Sequence, residues 1–399
     1  MSKEEDSLAA DGLSTPADSP FHSLTFLGGA DEFGEFEDRV LRHLVDAVRG
    51  CVADQERLGV LTDIRDSLAN ARKLGKTFNL YQDQFRISSQ EIGWLKTHGE
   101  ERWVDYLVSR YRLRMYPVRK QLTPFPLHLL IEPTPVCNLR CVMCFQVDPA
   151  FDRDPALKGV MNWDLFVNVV DQAADHGCNA ITLASRGEPT LHKRLGDMLA
   201  YLSQKKIMEV KLNTNATRLG EALCHQILSA GVNTVVFSVD ASTKESYEKI
   251  RVRGIFETVL ANIQRFKEIR DKEYPGSPTV TRISGVKVDP DQNLEEMGSF
   301  WSRWVDEVTI VDNVPRWDTY NNLGSGRTTA CNMLWERMYV WFDGSCNVCD
   351  FDYKSLLSPG NARERSLSEI WLGEAYTKLR QQHLAKERKC AVPCDRCPL

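Results

Sequence analysis

Three cysteines fall within eight residues, Cys137-Asn-Leu-Arg-Cys141-Val-Met-Cys144, a C-x3-C-x2-C spacing. Three thiolates on one tight loop can hold three corners of a [4Fe–4S] cluster. The fourth iron is then open to a small molecule, by the logic that separates open catalytic metal sites from closed structural ones. A second group occupies the last 69 residues: Cys331, Cys346, Cys349, Cys390, Cys394 and Cys397. Its two C-x2-C pairs, Cys346/Cys349 and Cys394/Cys397, allow either an iron–sulfur cluster or zinc, but their separation exceeds the usual zinc spacing of about 15–20 residues. The other three of the twelve cysteines, Cys51, Cys178 and Cys224, stand apart and read as small buried hydrophobes. The N-terminus, MSKEEDSLAADGLS, has no apolar signal core. That points to the cytoplasm, where thiols stay reduced and clustered cysteines bind metal rather than one another.

The elements that must position these loops are legible in the periodicity. Residues 1–33 are rich in Ser, Asp, Glu, Gly and Pro and read as a disordered acidic tail. Residues 34–124 read as a helical region, with Phe36, Val40, Leu41, Leu44, Val45, Val48 and Val52 on one face and Trp103, Tyr106, Leu107 and Tyr111 on another. A lid, an oligomer contact and a structural cap are all open as its role. From about 125 to 318 strands and helices alternate. The apolar run His128–Ile131 leads into strands at Ala180–Ala184, Val210–Asn213, Thr234–Val239, Ile283–Val288 and Val308–Val311. Between them lie helices carrying Trp163/Phe166/Val169/Val170, Leu195/Met198/Leu199/Leu202, Leu219/Leu223/Ile227, Phe256/Val259/Ile263/Phe266 and Leu294/Met297/Phe300/Trp304. Such alternation means a parallel α/β sheet of six β/α units, open or curved into a partial (β/α)6 barrel. Residues 319–399 read as a small cysteine-rich domain with a hairpin around Asp343-Gly344 and a helix over Leu367–Leu379. It has little core of its own and calls for a metal staple.

The composition narrows the partners. Fifty basic and 55 acidic residues leave a net charge of -5, with no basic footprint for nucleic acid. No apolar run reaches the length of a membrane span.

The cysteine loop and the motifs that follow it resemble the radical S-adenosylmethionine (radical SAM) superfamily. After the second strand comes Arg186-Gly187-Glu188-Pro189, similar to the family's GGEP segment with Arg replacing the first Gly. After the third comes Asn213-Thr214-Asn215, and after the fourth Ser238-Val239-Asp240-Ala241, then Tyr247-Glu-Lys-Ile-Arg251. The resemblance implies a TIM-like partial barrel whose Cys137, Cys141 and Cys144 hold a [4Fe–4S] cluster. It also implies S-adenosylmethionine (SAM) contacts from Met143, Gly187, Glu188, Pro189, Asn215, Ser238, Asp240 and Arg251. Arg is the apt partner for the SAM carboxylate, and Arg253 competes with Arg251 for that role. The tail is similar to the SPASM/twitch auxiliary-cluster domains. That likeness implies Cys331, Cys349, Cys394 and Cys397 as ligands of one auxiliary [4Fe–4S] cluster, since a full two-cluster SPASM domain would need cysteines between 349 and 390. Cys346 and Cys390 are left over, open as substitute ligands, free thiols or structural residues, with Cys346, ahead of Cys390, the conceivable hydrogen donor in an epimerisation.

The activity implied is reductive cleavage of SAM to a 5′-deoxyadenosyl radical, fed by a flavodoxin- or ferredoxin-type donor, followed by hydrogen abstraction from a substrate C–H. The expected outcome is net oxidation or epimerisation of a carbohydrate- or aminocyclitol-type small molecule. Modification of a ribosomal peptide and a non-enzymatic iron–sulfur redox protein are the alternatives. Asp318, Tyr320 and Asn321 follow the sixth strand and are placed to reach substrate. His192 reads as structural.

Overall fold

In a computed structural model of the chain, residues 23–27, 35–51, 53–74, 85, 87, 89–314 and 316–399 are described. The chain runs β1 (Ser23–Leu27), α1 (Glu35–Gly50), α2 (Gln55–Leu74), α3 (Ser89–Thr97), α4 (Trp103–Val118), β2 (His128–Ile131), β3 (Arg140–Cys141), α5 (Pro149–Arg153) and α6 (Trp163–Asp175). The alternation continues with β4 (Ala180–Leu183), α7 (Leu195–Ser203), β5 (Glu209–Thr214), α8 (Glu221–Ser229), β6 (Thr234–Ser238), α9 (Lys244–Ile250), β7 (Arg251–Val252), α10 (Phe256–Glu273), β8 (Val280–Lys287), α11 (Leu294–Trp301) and β9 (Glu307–Asp312). The C-terminal region adds β10 (Arg337–Val340), β11 (Ser345–Asn347), β12 (Gly360–Asn361), α12 (Leu367–Trp371) and α13 (Glu374–Leu384).

The six expected strands, β2, β4, β5, β6, β8 and β9, lie side by side in chain order and pair in parallel. The architecture is therefore an α/β partial barrel, and it is open: β1 and β12 are its edges. Helices cover the convex face, where Leu129, Ile181, Leu212, Val235, Ile283 and Val308 are buried in one large apolar core. Local signals start the helices where expected: Asn162 caps α6, its side chain accepting from the Asp164 N–H. Leu219 precedes α8 and Trp304 follows α11, so both pack from the flanking turns rather than from within the helices.

Three features differ from the sequence reading. First, the stretch read as a disordered tail contributes β1, which pairs antiparallel with β9; the rest of residues 1–33 lies outside the described residues, as does Val52. Second, the helix expected over Leu367–Leu379 is two helices broken at Gly373. A side chain at Gly373 would meet the Glu369 carbonyl oxygen at 2.8 Å. Third, the cysteine-rich region does not stand alone. β10 adds in parallel to β2, β11 returns antiparallel as the expected hairpin, and Met338, Val340, Ile370, Trp371 and Tyr376 belong to the barrel's core.

The N-terminal helices form a second apolar core, with Val40, Leu44, Leu61, Ile64, Trp103, Tyr106, Leu107 and Tyr111 buried and with Leu127 and Met208 in the same cluster. Those last two residues stand just before β2 and β5. Arg110 of α4 is 2.9 Å from Glu209, the first residue of β5. The helices therefore pack on the end of the barrel where the parallel strands begin, opposite the strand ends that carry the cysteine loop.

Candidate active site

The cysteine loop follows β2 and is tied down on both sides. β3, within the loop, pairs with β7 so that Cys141 stands opposite Arg251, and the Val142 N–H donates to the Ile250 carbonyl. The Leu139 N–H lies 3.4 Å from Cys137 Sγ and the Gln146 N–H 3.5 Å from Cys144 Sγ. Asn215 Nδ2 approaches Cys137 Sγ at 4.0 Å and donates to Asn138 Oδ1 at 3.0 Å. Burial pushes the Cys137 thiol up to about 12 and Cys144 to about 11, and raises Cys141 as well. Negative charge adds to the rise, from Glu188, Cys141 and Cys144 at Cys137 and from Cys141 at Cys144. Deprotonating all three together therefore needs the positive charge of bound iron.

The Arg186–Pro189 turn locks against this loop. The Glu188 N–H donates to the Val136 carbonyl at 2.9 Å. At Gly187 a Cβ would stand 2.2 Å from the Thr134 carbonyl oxygen and 2.5 Å from the Val136 carbonyl oxygen, so only glycine allows this approach. Glu188 is buried and its carboxylate is fully engaged. Oε1 accepts from Thr190 N–H, Thr190 Oγ1 and Thr214 Oγ1, and Oε2 accepts from the Asn215 N–H at 2.7 Å. Its side chain thus joins the Pro189 turn to the turn after β5, leaving backbone groups there to face a ligand. Asp240 accepts from Arg251 Nε at 2.5 Å and from the Val286 N–H at 2.8 Å, so Arg251 is fixed beside Cys141. Ser238 ends β6, and Met143 lies half-buried in the cysteine loop.

The first residue of the turn carries a contact that sequence reading missed. Arg186, standing where the resembled segment has Gly, is buried and pairs with buried Glu132 through two bonds, Nε to Oε2 at 2.7 Å and Nη2 to Oε1 at 2.6 Å. Its Nη1 donates to the Tyr353 carbonyl, and its guanidinium lies 4.2 Å over the Trp341 ring. It thereby binds the barrel to the C-terminal domain. The signal was the odd residue itself; the partner was not readable.

In the C-terminal domain Cys331, Cys349, Cys394 and Cys397 all line one cavity, together with Leu334, Val348 and Phe351. Burial raises all four thiols, Cys349 most strongly and Cys394 to about 12. Among the described residues no three His, Cys, Asp or Glu side chains converge tightly enough to hold a single metal ion. Four thiols around one cavity are a donor set that suits an iron–sulfur cluster. Cys346 is apart from this set. It is 0% exposed, on β11, with Sγ 3.8 Å from the Gly344 carbonyl. It belongs to the apolar core, a placement that favours a packing role over that of hydrogen donor. Cys390 is exposed on a surface turn. His192, as expected, is structural, bonded to the Met161 carbonyl.

An aromatic joint links the segment after Cys349 to the cysteine loop. Phe145, next to Cys144, stacks on Tyr353 with centroids 5.0 Å apart, and Phe151 packs edge-on to both. The Tyr353 hydroxyl donates to Asp148, which also pairs with Lys354 at 2.7 Å. Arg316 pairs with Asp350, the neighbour of Cys349. Tyr320 joins this region, donating to Asp352, and the Asp318 N–H donates to the Tyr353 hydroxyl. Asn321 bonds Asp318.

Comparison with known proteins agrees with this geometry. The model of the radical SAM superfamily matches residues 131–300, and that of an iron–sulfur cluster-binding domain, SPASM, matches 331–398. The tungsten-containing aldehyde ferredoxin oxidoreductase cofactor-modifying protein of Pyrococcus furiosus is 25% identical over 301 residues, 63% of this chain and 83% of that protein. A GTP 3′,8-cyclase of Desulforamulus reducens is 29% identical over 160 residues, 40% of this chain and 47% of the cyclase, so the chain spans about half of that relative. The solved structure of SuiB from Streptococcus suis, bound to S-adenosylmethionine, matches at a TM-score of 0.51 and 16% identity, covering 88% of this chain and 84% of that one, a likeness of fold. Among the described residues no helix is long and apolar enough to cross a membrane. Since the matched models fall on the two segments that gather the thiols, the chain belongs to the radical SAM superfamily, with a SAM-binding [4Fe–4S] site in its barrel and an auxiliary iron–sulfur domain of the SPASM type at its C-terminus.

Proposed function

We propose that the chain cleaves SAM reductively and removes a hydrogen atom from a C–H of a polar, carbohydrate-like small molecule, with net oxidation as the outcome. The observation that carries this reading is the joint that ties the segment after Cys349 to the cysteine loop through Phe145, Tyr353 and Asp148. Bound in these sites, SAM and the clusters supply a hydrogen-abstracting radical and an acceptor for a second electron.

The chain's own residues have defined tasks in this reading. Cys137, Cys141 and Cys144 would hold the SAM-binding cluster, and Cys331, Cys349, Cys394 and Cys397 would hold one auxiliary cluster. Gly187 lets the backbone of the turn approach the cysteine loop, Glu188 and Asn215 fix that turn, and Asp240 aims Arg251 beside Cys141. Oxidation is favoured over epimerisation because Cys346 is sealed in the core and Cys390 lies on the outer surface, so neither supplies a hydrogen atom to a substrate radical. A small molecule is favoured over a peptide because the helical region packs on the far end of the barrel and the barrel's inner face is rich in polar side chains.

The test is anaerobic. Reconstituted protein should hold about eight irons, two four-iron clusters, and with dithionite and SAM should release 5′-deoxyadenosine. Cys141→Ala should abolish that release. Release that persists in Cys141→Ala overturns the reading, as does turnover only with a precursor peptide.

A further inference from the structure

The concave face of the sheet is unlike its convex face. Residues paired across neighbouring strands point the same way and alternate along each strand. The register therefore puts His128, Lys211, Asn213, Arg282, Thr309 and Arg337 on the inner side. The Thr182 hydroxyl, 2.9 Å from His128 Nε2, shares that face.

Most of the inner cations have a carboxylate. Arg282 bonds Glu307, Nε to Oε2 at 2.6 Å. Arg337 is held by Glu336. Arg110, entering from α4, is 2.9 Å from both Glu209 and Glu91. Lys211 is the exception: it makes no hydrogen bond or ion pair with any described residue. It is partly exposed although strands flank it on both sides, so the space it faces is inside the barrel. Burial and then repulsion from Arg282, with smaller contributions from Arg337 and Arg110 against attraction from Glu209, bring it down to about 8, so it remains charged at neutral pH. His128 is neutral there, burial lowering it. Three further polar atoms on this face, Asn213 Oδ1, Thr309 Oγ1 and Arg337 Nε, are buried without a partner.

A cation with no ion-pair partner and three orphaned polar atoms, from three strands of one face, match a ligand that brings negative charge and hydrogen bonds. We propose that the substrate carries an anionic group, a phosphate or a carboxylate, which docks inside the barrel on Lys211 between Arg282 and Arg337. The proposal rests on the small-molecule reading above and narrows it. Lys211 stands three residues below the end of β5, about 10 Å at 3.3 Å per residue. An anion held there leaves a sugar-sized body between the seat and the cysteine loop, within reach of a radical formed at the strand ends.

The experiment titrates the anaerobically reconstituted full chain by calorimetry with inorganic phosphate and, separately, malonate, at constant ionic strength. One saturable site for either anion supports the seat, and which anion binds tells whether the substrate is a phosphate or a carboxylate. Lys211→Met should weaken that binding at least tenfold, and Lys211→Arg, which keeps the charge, should hold it within about threefold. Without anion, Lys211→Met should melt above the parent chain, because it removes an uncompensated charge; a lysine that merely supports the fold would move the melting point down. Absence of saturable binding, or binding indifferent to Lys211→Met, overturns the proposal. Release of 5′-deoxyadenosine by the unaltered chain reports separately on the cysteine loop, so release without anion binding refutes the seat alone.

Discussion

Arg186→Gly restores the residue that the resembled motif has, yet the structure predicts severe damage. The Arg186 and Glu132 side chains are 2% and 0% exposed and share two short hydrogen bonds. Removing one partner of such a pair strands a buried charge, at a cost of about 3–5 kcal/mol. Loss of the guanidinium from the Trp341 face adds roughly 1–2 kcal/mol, and the Tyr353 carbonyl loses its donor. Because the core runs continuously from barrel to C-terminal domain, the two should melt together. A cooperative unit of roughly 270 residues at about 2.1 cal/mol/K per residue has an unfolding entropy near 0.6 kcal/mol/K, so a loss of about 4 kcal/mol lowers Tm by about 7 °C. The assay is thermal and denaturant unfolding of the anaerobic holoprotein, with Arg186→Met, Glu132→Gln and the double variant Glu132→Gln/Arg186→Met forming a closed cycle beside Arg186→Gly. The double variant should recover at least half of the Arg186→Gly loss, since it leaves no lone charge behind. A loss below about 1 kcal/mol in Arg186→Gly, or a double variant as damaged as the sum of the singles, would refute the argument that this pair clamps the two domains.

Four further outcomes are expected. Gly187→Ala should cost about 1–3 kcal/mol or more and lower iron retention in the barrel site, because its Cβ would strike backbone atoms that cannot turn aside; iron analysis and unfolding check both. Cys349→Ala should drop iron from about eight to about four per chain, whereas Cys346→Ala should leave iron unchanged and lose roughly 1 kcal/mol of packing, measured side by side. Asp240→Asn should weaken SAM binding by freeing Arg251 beside Cys141, with the deficit seen in SAM titration rather than in iron content. Lys211 titrates near 8 in the folded chain against 10.5 when unperturbed. The unfolded chain therefore holds more protons between those values, and stability rises with pH across that window. The excess melting temperature of Lys211→Met over the parent should shrink from pH 8 to 10.5, and phosphate affinity of the parent should fall over the same range.

What was legible in the sequence is what is decided locally. A C-x3-C-x2-C loop gathers its thiols through its own short path, and the helix faces of α6, α7 and α10 follow from 3.6-residue spacing alone. The order of motifs after successive strands was legible too, because a parallel sheet sends each strand end to the same side. What was not legible depends on register and on pairs far apart in the chain. Cys346 and Cys349 look alike as two members of a C-x2-C pair. Yet Cys346 sits on β11 opposite Val340 and points into the core, whereas Cys349, beyond the strand, turns into the cavity. Only strand pairing separates them, and a slip of one residue would exchange their surroundings. The segments Glu209-Val-Lys-Leu-Asn and Arg282-Ile-Ser do alternate polar with apolar, which in hindsight marks strands with one wet face, but nothing local says that the two wet faces look at each other.

The same distinction explains how the two thiol sets come together. The auxiliary domain is not attached by a tether that leaves its position open. Its first strand, β10, extends the barrel's own sheet beside β2, the strand that feeds the cysteine loop. Strand spacing of about 4.8 Å then fixes the distance between the loop after β2 and the hairpin after β10. Arg186, reaching from the turn after β4 to Glu132 at the end of β2 and Trp341 after β10, fastens the three neighbouring strand ends to one another. Glycine at 186 would leave that seam to backbone bonds alone. If the separation of the two sites matters to the chemistry, this arginine is what holds it. Shortening its reach with Arg186→Lys should therefore uncouple substrate oxidation from SAM cleavage: 5′-deoxyadenosine should still form while product per cleavage falls, and an unchanged ratio would show that the seam serves stability only.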